Sequence, residues 1–306
     1  MVIAAGFRLT FFRFNESNKE SKENLHKKNK HQNGYNFEEL CKIYPALTEF
    51  VFINKFNTET IDFANPKAVK AINTALLFTY GIHHWEFPDE NLCPPIPGRV
   101  DYIHYLYDLL TASKITNDIR VLDVGTGANC IYPLLGNSVY NWNFVGTDCD
   151  KKSLECASTI IKENKLSKFI QLQLQSDTTH IFEGILTKED KFSAAMCNPP
   201  FYKSQEDAMQ ANARKLEGLG KVDVGRNFGG KQQELWYNGG EKAFAHTFLY
   251  ESSHFKTNCF WFTTLVSKKE NVESLQISSK KLGVIDFKVI PLQQGNKVTR
   301  IVCWRY

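Results

Sequence analysis

No two cysteines in this chain stand three positions apart in a CxxC pair, and no histidine cluster lies near one at ligand spacing, so no metal site is expected. The eight cysteines, Cys41, Cys93, Cys130, Cys149, Cys156, Cys197, Cys259 and Cys303, fall mostly in apolar runs such as AAMCNPP and IVCWRY. Buried, reduced thiols of a cytoplasmic protein show that pattern. No window reaches the roughly 18 apolar residues of a membrane span. The N-terminal MVIAAGFRLTFF carries Arg8 and Arg13 and lacks the apolar core and cleavage site of a secretory signal. A cytoplasmic protein with no membrane partner is therefore expected, and a monomer. Neither sign of charge dominates: 37 Lys and Arg against 33 Asp and Glu leave +4. That permits a nucleic-acid partner without requiring one, so the placement of charge matters more than its sum. No internal repeat is present.

The 306 residues suit one large domain with an appendage. Residues 1–24 contain the polar NESNKESKEN and read as a disordered extension. Residues 25–36, LHKKNKHQNGYN, gather Lys27, Lys28 and Lys30 with two histidines; a solvated loop and a nucleic-acid contact both fit. Residues 37–112 carry apolar positions at helical spacing, Asn65–Pro66 marks a helix start, and LCPPIPGR is a proline-set connection before the helix DYIHYLYDLLTAS. From residue 119 strands alternate with helices: IRVLDV, NFVGTD, FIQLQLQ, FSAAMC and NCFWFTTLV are strands, with helices between them. This predicts a parallel sheet covered on both faces. The last two strands, joined by QQGNK, predict an antiparallel edge. The expected division is 1–24, a basic, mainly helical region over 25–98, and an α/β domain over 99–306.

DVGTGANC (123–130) follows a strand and opens a helix, with Gly125 and Gly127 where the chain must turn close to a ligand. Asp148 ends the next strand about 25 residues after Asp123, as a carboxylate that accepts ribose hydroxyls does; Asp150 is equally well placed to cap the following helix. The loop is GTG rather than GxGxxG, which favours S-adenosylmethionine over a dinucleotide.

Asn198-Pro199-Pro200-Phe201 ends a later strand, on the side where open α/β sheets bind ligands. An aromatic amine is a poor nucleophile because its lone pair is delocalised. If the Asn198 side-chain oxygen and the Pro199 carbonyl accept its N–H groups, the nitrogen is drawn toward a tetrahedral geometry aimed at a methyl donor, and alignment carries much of the catalysis. Phe201 offers a flat face on which an extruded base stacks, worth about 1–3 kcal/mol.

With these residues in view, the sequence resembles the bacterial 23S ribosomal RNA adenine-N6 methyltransferases (the RlmF family). It is also similar, more distantly, to the eukaryotic methyltransferase-like enzymes that modify U6 snRNA. The likeness runs from about Leu25 to Tyr306 through LHKKNKH, IDFANPKAVKAIN, LCPPIPGRVDYIHYL, GANCIYPLLG, CNPPF, GGKQQELWYNGGE, LVSKKEN and GNKVTRIVCW. It implies a class I, Rossmann-like methyltransferase with a seven-stranded, mostly parallel sheet and an antiparallel C-terminal hairpin. It implies S-adenosylmethionine as cofactor, with Arg99 at its carboxylate, Asp123, Gly125, Gly127 and Asn129 along it, Asp148 at the ribose and Thr179 near the adenine. It makes the segment around Lys27, Lys28 and Lys30 an RNA-binding element. It also places Gly229, Gly230, Glu234 and Trp236 in a loop closing the site. That loop, about 203–239, carries Arg214, Lys215, Lys221, Arg226 and Lys231, cations suited to RNA phosphates. The implied partner is 23S rRNA or a large-subunit assembly intermediate. Methylation of another structured RNA such as U6 snRNA, methylation of a protein glutamine, and a non-catalytic RNA-binding assembly role are the alternatives.

Overall fold

The structure, a computed structural model, describes residues 25–200, 202–204, 206–207, 236–294 and 297–306. The extension 1–24 and most of the 203–239 loop, including Arg214, Lys215, Lys221, Arg226, Lys231, Gly229, Gly230 and Glu234, lie outside the described residues.

The sheet has seven strands in the order β5-β4-β3-β6-β7-β9-β8. These are β3 (Arg120–Val124), β4 (Asn143–Asp148), β5 (Ile170–Leu174), β6 (Phe192–Cys197), β7 (Cys259–Val266), β8 (Asp286–Gln294) and β9 (Lys297–Arg305). The first five in spatial order are parallel. β9 slots antiparallel between β7 and β8. This is the expected class I arrangement with its antiparallel hairpin. Strand alternation builds two cores. Val121, Phe144, Ala194, Trp261 and Cys303 face one, with α3 (Ile96–Ala112), α4 (Ile131–Tyr140) and α5 (Lys151–Glu163). Leu122, Val145, Ala195, Phe262 and Trp304 face the other, with α6 (Gly240–Ser252) and α7 (Lys269–Lys281). A period of two puts successive residues on opposite faces, so near-continuous apolar strands are what a doubly covered sheet requires.

The N-terminal region, expected to be mainly helical, also contains a small hairpin. α1 (Phe37–Ile43) ends before Pro45, and a short 3-10 helix (Pro45–Phe50) follows. A separate hairpin pairs β1 (Val51–Ile53) with β2 (Glu59–Ile61). Pro45 cannot continue a helix. Asn54 then turns the chain by accepting the amides of Phe56 (2.8 Å) and Thr58 (3.2 Å). Strands of three residues leave no readable alternation. α2 (Pro66–Phe78) starts as expected, the Asn65 side chain accepting from the Lys67 amide at 3.0 Å with Pro66 in the first turn.

The expected 98/99 division falls inside α3, which begins at Ile96. Phe37, Leu40 and Leu47 share one core with Leu106, Leu134 and Phe144, so apolar packing runs across that point. The basic segment is docked. The His26 amide donates to both Asp101 carboxylate oxygens (3.1 Å each), and the Asn29 amide side chain donates to the Pro97 carbonyl (2.9 Å) and to Asp101. His26, Asn29 and His31 are buried, while Lys27, Lys28 and Lys30 between them are exposed.

Gly136 on α4 lies against Phe144 of β4, and a Cβ there would run into the ring. Gly136→Ala is therefore expected to destabilise the fold by about 1–3 kcal/mol despite the better helix propensity of alanine. Thermal unfolding checks this; a melting temperature equal to or above wild type would contradict it.

Candidate active site

β3 carries the chain to Asp123 and Val124, and the turn that follows is set by its glycines. Gly125 (φ 75°) and Gly127 (φ 65°) both occupy the left-handed region that side chains disfavour. Around a notional Cβ at Gly125 no heavy atom lies within 4 Å, so its missing side chain leaves open space. The Gly125 and Thr126 amides both donate to the Thr147 carbonyl at 2.9 Å, tying the turn to the end of β4. There the Asp148 carboxylate accepts from the Gly127 amide (2.9 Å) and the Asp150 amide (2.9 Å). Asp150 is the helix cap, accepting from the Lys152 amide (3.0 Å) and the Ser153 hydroxyl (2.9 Å). The capping role that the sequence left open thus falls to Asp150 rather than Asp148. An ionised carboxylate has about four acceptor positions, so Asp148 keeps capacity beyond two amides.

These residues line one cleft, together with Leu92, Pro94, Arg99, Asn129, Ile131, Tyr132, Cys149, Asn198 and Pro200. Asn129 is fixed on three sides. Its carbonyl accepts the Trp85 indole (2.9 Å), its side chain donates to the Leu92 carbonyl (3.3 Å), and its side-chain oxygen accepts the Ile131 amide (3.2 Å) at the start of α4. Arg99 donates to the Tyr132 hydroxyl at 2.9 Å, and its buried Nε has no partner among the described residues. Asn198 leaves β6 in line with the turn after β3, since Asp123 and Val124 pair with Met196 and Cys197. Its Oδ1 is buried and also has no partner among the described residues. A buried polar atom left unmatched costs about 1–3 kcal/mol, so two of them on one cleft mark a surface shaped for a polar ligand.

Of the residues expected at the site, Arg99, Gly125, Gly127, Asn129, Asp148, Asn198 and Pro200 line the cleft. Pro199 is buried beside it, and Phe201 lies outside the described residues. Asp123 is not on the wall. It lies fully buried with neither carboxylate oxygen paired, the Thr126 hydroxyl being directed at the Cys130 sulfur (3.7 Å). Thr179 is also absent from the wall: its amide and hydroxyl are committed to Asp177 at 2.9 and 2.6 Å, in a turn of the exposed loop after β5. The sequence did not single out Leu92, Pro94, Thr126, Tyr132 or Cys149. Each lies within a few residues of a recognised motif, and LCPPIPGR was the available signal for the first two. Lys28 meets Asp108 at 3.3 Å and sits 3.9 Å over the Tyr107 ring. Lys30 donates to the Thr79 carbonyl (3.2 Å), and Lys27 is exposed. Among the described residues no cluster of His, Cys, Asp and Glu could hold a metal ion, and no helix is long and apolar enough to cross a membrane.

Burial, with the nearby Asp148 charge adding to it, pushes the Asp123 carboxyl from 3.8 up to about 7. The folded state therefore favours the neutral acid. The resulting stability is full below pH 3.8 and is lost as pH rises through about 7. Without ligand, Asp123→Asn is expected to flatten a fall in stability on the order of 4 kcal/mol across that window. Denaturant titrations at several pH values measure it; an unchanged slope in the variant would count against the assignment.

A family model described as RNA methyltransferase matches residues 19–306. The chain is 48% identical over 301 residues to the ribosomal RNA large subunit methyltransferase F of Flavobacterium johnsoniae, covering 94% of this chain and 95% of that protein. It is 44% identical to the protein of the same name from Aeromonas salmonicida, covering 95% of this chain and 94% of that one. Among solved structures it is similar to the hMettl16 catalytic domain in complex with MAT2A 3'UTR hairpin 1, with TM-score 0.80, 28% identity, and 92% and 96% of the two chains covered. It is likewise similar to the N-terminal domain of human METTL16 in complex with SAH, with TM-score 0.74, 25% identity, and 92% and 99% covered. Fold, cleft and relatives agree, and the chain belongs to the RNA methyltransferase family.

Proposed function

We propose that this enzyme methylates the exocyclic N6 amine of an adenine in 23S ribosomal RNA, with S-adenosylmethionine as methyl donor. The observation that carries the reading is the buried, unpartnered Asn198 Oδ1 on the same cleft as Gly125 and Asp148. The cleft's donor set fits the cofactor. Arg99 offers a free guanidinium Nε toward a carboxylate, Gly125 allows close backbone approach, Asn129 lines the path between, and Asp148 retains acceptor positions for ribose hydroxyls. When bound, the cofactor supplies an electrophilic methyl group on a sulfonium centre.

The chain's own residues do the rest. Asn198 Oδ1 and the Pro199 carbonyl accept the two amine hydrogens. Both hydrogen bonds oppose delocalisation into the ring and turn the lone pair outward. Pro199 and Pro200 restrict the backbone that holds these acceptors. No base stronger than these acceptors is required before transfer, because the methylated ammonium is itself acidic. Phe201 supplies the stacking face for a base swung out of its helix. Lys27, Lys28 and Lys30, with Arg214, Lys215, Lys221, Arg226 and Lys231, are the proposed contacts to RNA phosphates. The names of the bacterial relatives, ribosomal RNA large subunit methyltransferase F, support the ribosomal substrate.

Mass mapping of ribosomal RNA from cells lacking the protein should reveal one missing N6-methyladenine, restored by wild type. Asn198→Ala should bind the cofactor almost normally yet fail to restore the mark, with transfer slowed on the order of a hundredfold or more; full restoration would refute the role given to Asn198. Replacing Lys27, Lys28 and Lys30 by glutamine should weaken RNA binding and reduce its log–log salt slope by up to about 0.9 for each phosphate no longer neutralised. Lys28, already paired with Asp108, should contribute less than Lys27. An unchanged slope would exclude the segment from the RNA interface.

A further inference from the structure

Three of the tryptophans have ordinary indole partners: Trp85 donates to the Asn129 carbonyl, Trp261 to the Ser113 hydroxyl and Trp304 to the Ser252 hydroxyl, each at 2.9 Å. Trp236 differs. Its residue is half-buried, yet its Nε1 is fully buried and has no acceptor among the described residues. Indole N–H groups normally find a partner when buried, and leaving one unmatched costs about 1–3 kcal/mol. The backbone fixes where this residue stands. Tyr202, two residues beyond Pro200, forms a parallel bridge with Trp236, and the Tyr237 amide donates to the Tyr202 carbonyl at 3.0 Å. Bridged residues lie about 5 Å apart and two residues of chain span at most about 7 Å, so Trp236 flanks the Asn-Pro-Pro corner. It is not on the wall of the cleft that holds Asn198 and Asp148.

We propose that Trp236 is a specificity-determining residue whose indole N–H donates to a ring nitrogen of the acceptor adenine while Asn198 Oδ1 accepts from its amine. This rests on the function proposed above. The pairing is chemical. Adenine sets its amino donor between two ring-nitrogen acceptors, N1 and N7. An unmatched acceptor at Asn198 and an unmatched donor at Trp236 complement that pattern. Guanine places a carbonyl where the amine should be, so its oxygen would face the Asn198 oxygen.

Trp236→Phe keeps a flat ring and deletes the donor, and at a half-buried position it tests the hydrogen bond rather than the fold. The substrate is an RNA containing the target adenosine, or the same RNA with 1-deaza-, 3-deaza- or 7-deazaadenosine in its place. Trp236→Phe should lower kcat/KM for the adenosine RNA about tenfold to thirtyfold, leaving the KM for S-adenosylmethionine unchanged. One deaza substitution should cost wild type the same factor and cost Trp236→Phe nothing more. Wild-type kcat/KM in the variant, or a full further loss with every deaza analogue, would overturn the inference alone. Wild type inactive on every adenosine RNA would overturn the proposed function and this inference with it.

Discussion

The turn after β3 is the constraint on which the cleft depends. Two left-handed glycines bend the chain, the Thr147 carbonyl takes two of its amides, and Asp148 takes a third. Those bonds lock the ends of two neighbouring parallel strands together. They also leave each Asp148 oxygen accepting one amide, with acceptor capacity remaining on the cleft. The same register carries Asn198 to the lip, because β6 pairs directly with β3. Asp148 and Asn198 thus stand at the ends of β4 and β6, the two strands that flank β3, on one cleft.

The second wall comes from the N-terminal region. The stretch from Trp85 to Arg99 crosses the open end of the sheet and supplies Leu92, Pro94 and Arg99, while Trp85 holds Asn129 from behind. Its attachment is polar and deeply buried: Asn73 accepts the Ile96 amide at 3.0 Å, and Asp101 collects His26 and Asn29. Burial raises the Asp101 carboxyl, while the hydrogen bonds from Asn29 and His26 favour its charged form. The helical region and the α/β region therefore form one cleft, which explains why the boundary expected at 98/99 dissolves into a continuous helix.

Much of this was legible in the sequence for physical reasons. Strands covered on both faces must be apolar along their whole length, so β3, β4, β6 and β7 announced themselves, and the GTG turn and Asn-Pro-Pro corner could be placed at their ends. Which of Asp148 and Asp150 caps the helix could not be read, since both are carboxylates at a strand-to-helix junction and only the backbone path decides it. The β1–β2 hairpin was invisible because three-residue strands carry no period. Thr179 was assigned by likeness to relatives; its local bond to Asp177 is a turn that proximity to a motif could not reveal. The orphaned Nε of Arg99 and indole of Trp236 are properties of packing, readable only in three dimensions.

The placement of β9 has its own consequence for how the chain assembles. β9 pairs with β7 across an interval that contains α7 and β8, so the sheet cannot finish in the order in which its strands are written. β8 and β9 are close in sequence and share a nine-residue register, which favours their joining first as a local ribbon. Docked on β7, that ribbon covers the strand's flank and buries Trp304. Without that ribbon β7 would present a bare apolar edge, the kind of surface on which chains aggregate.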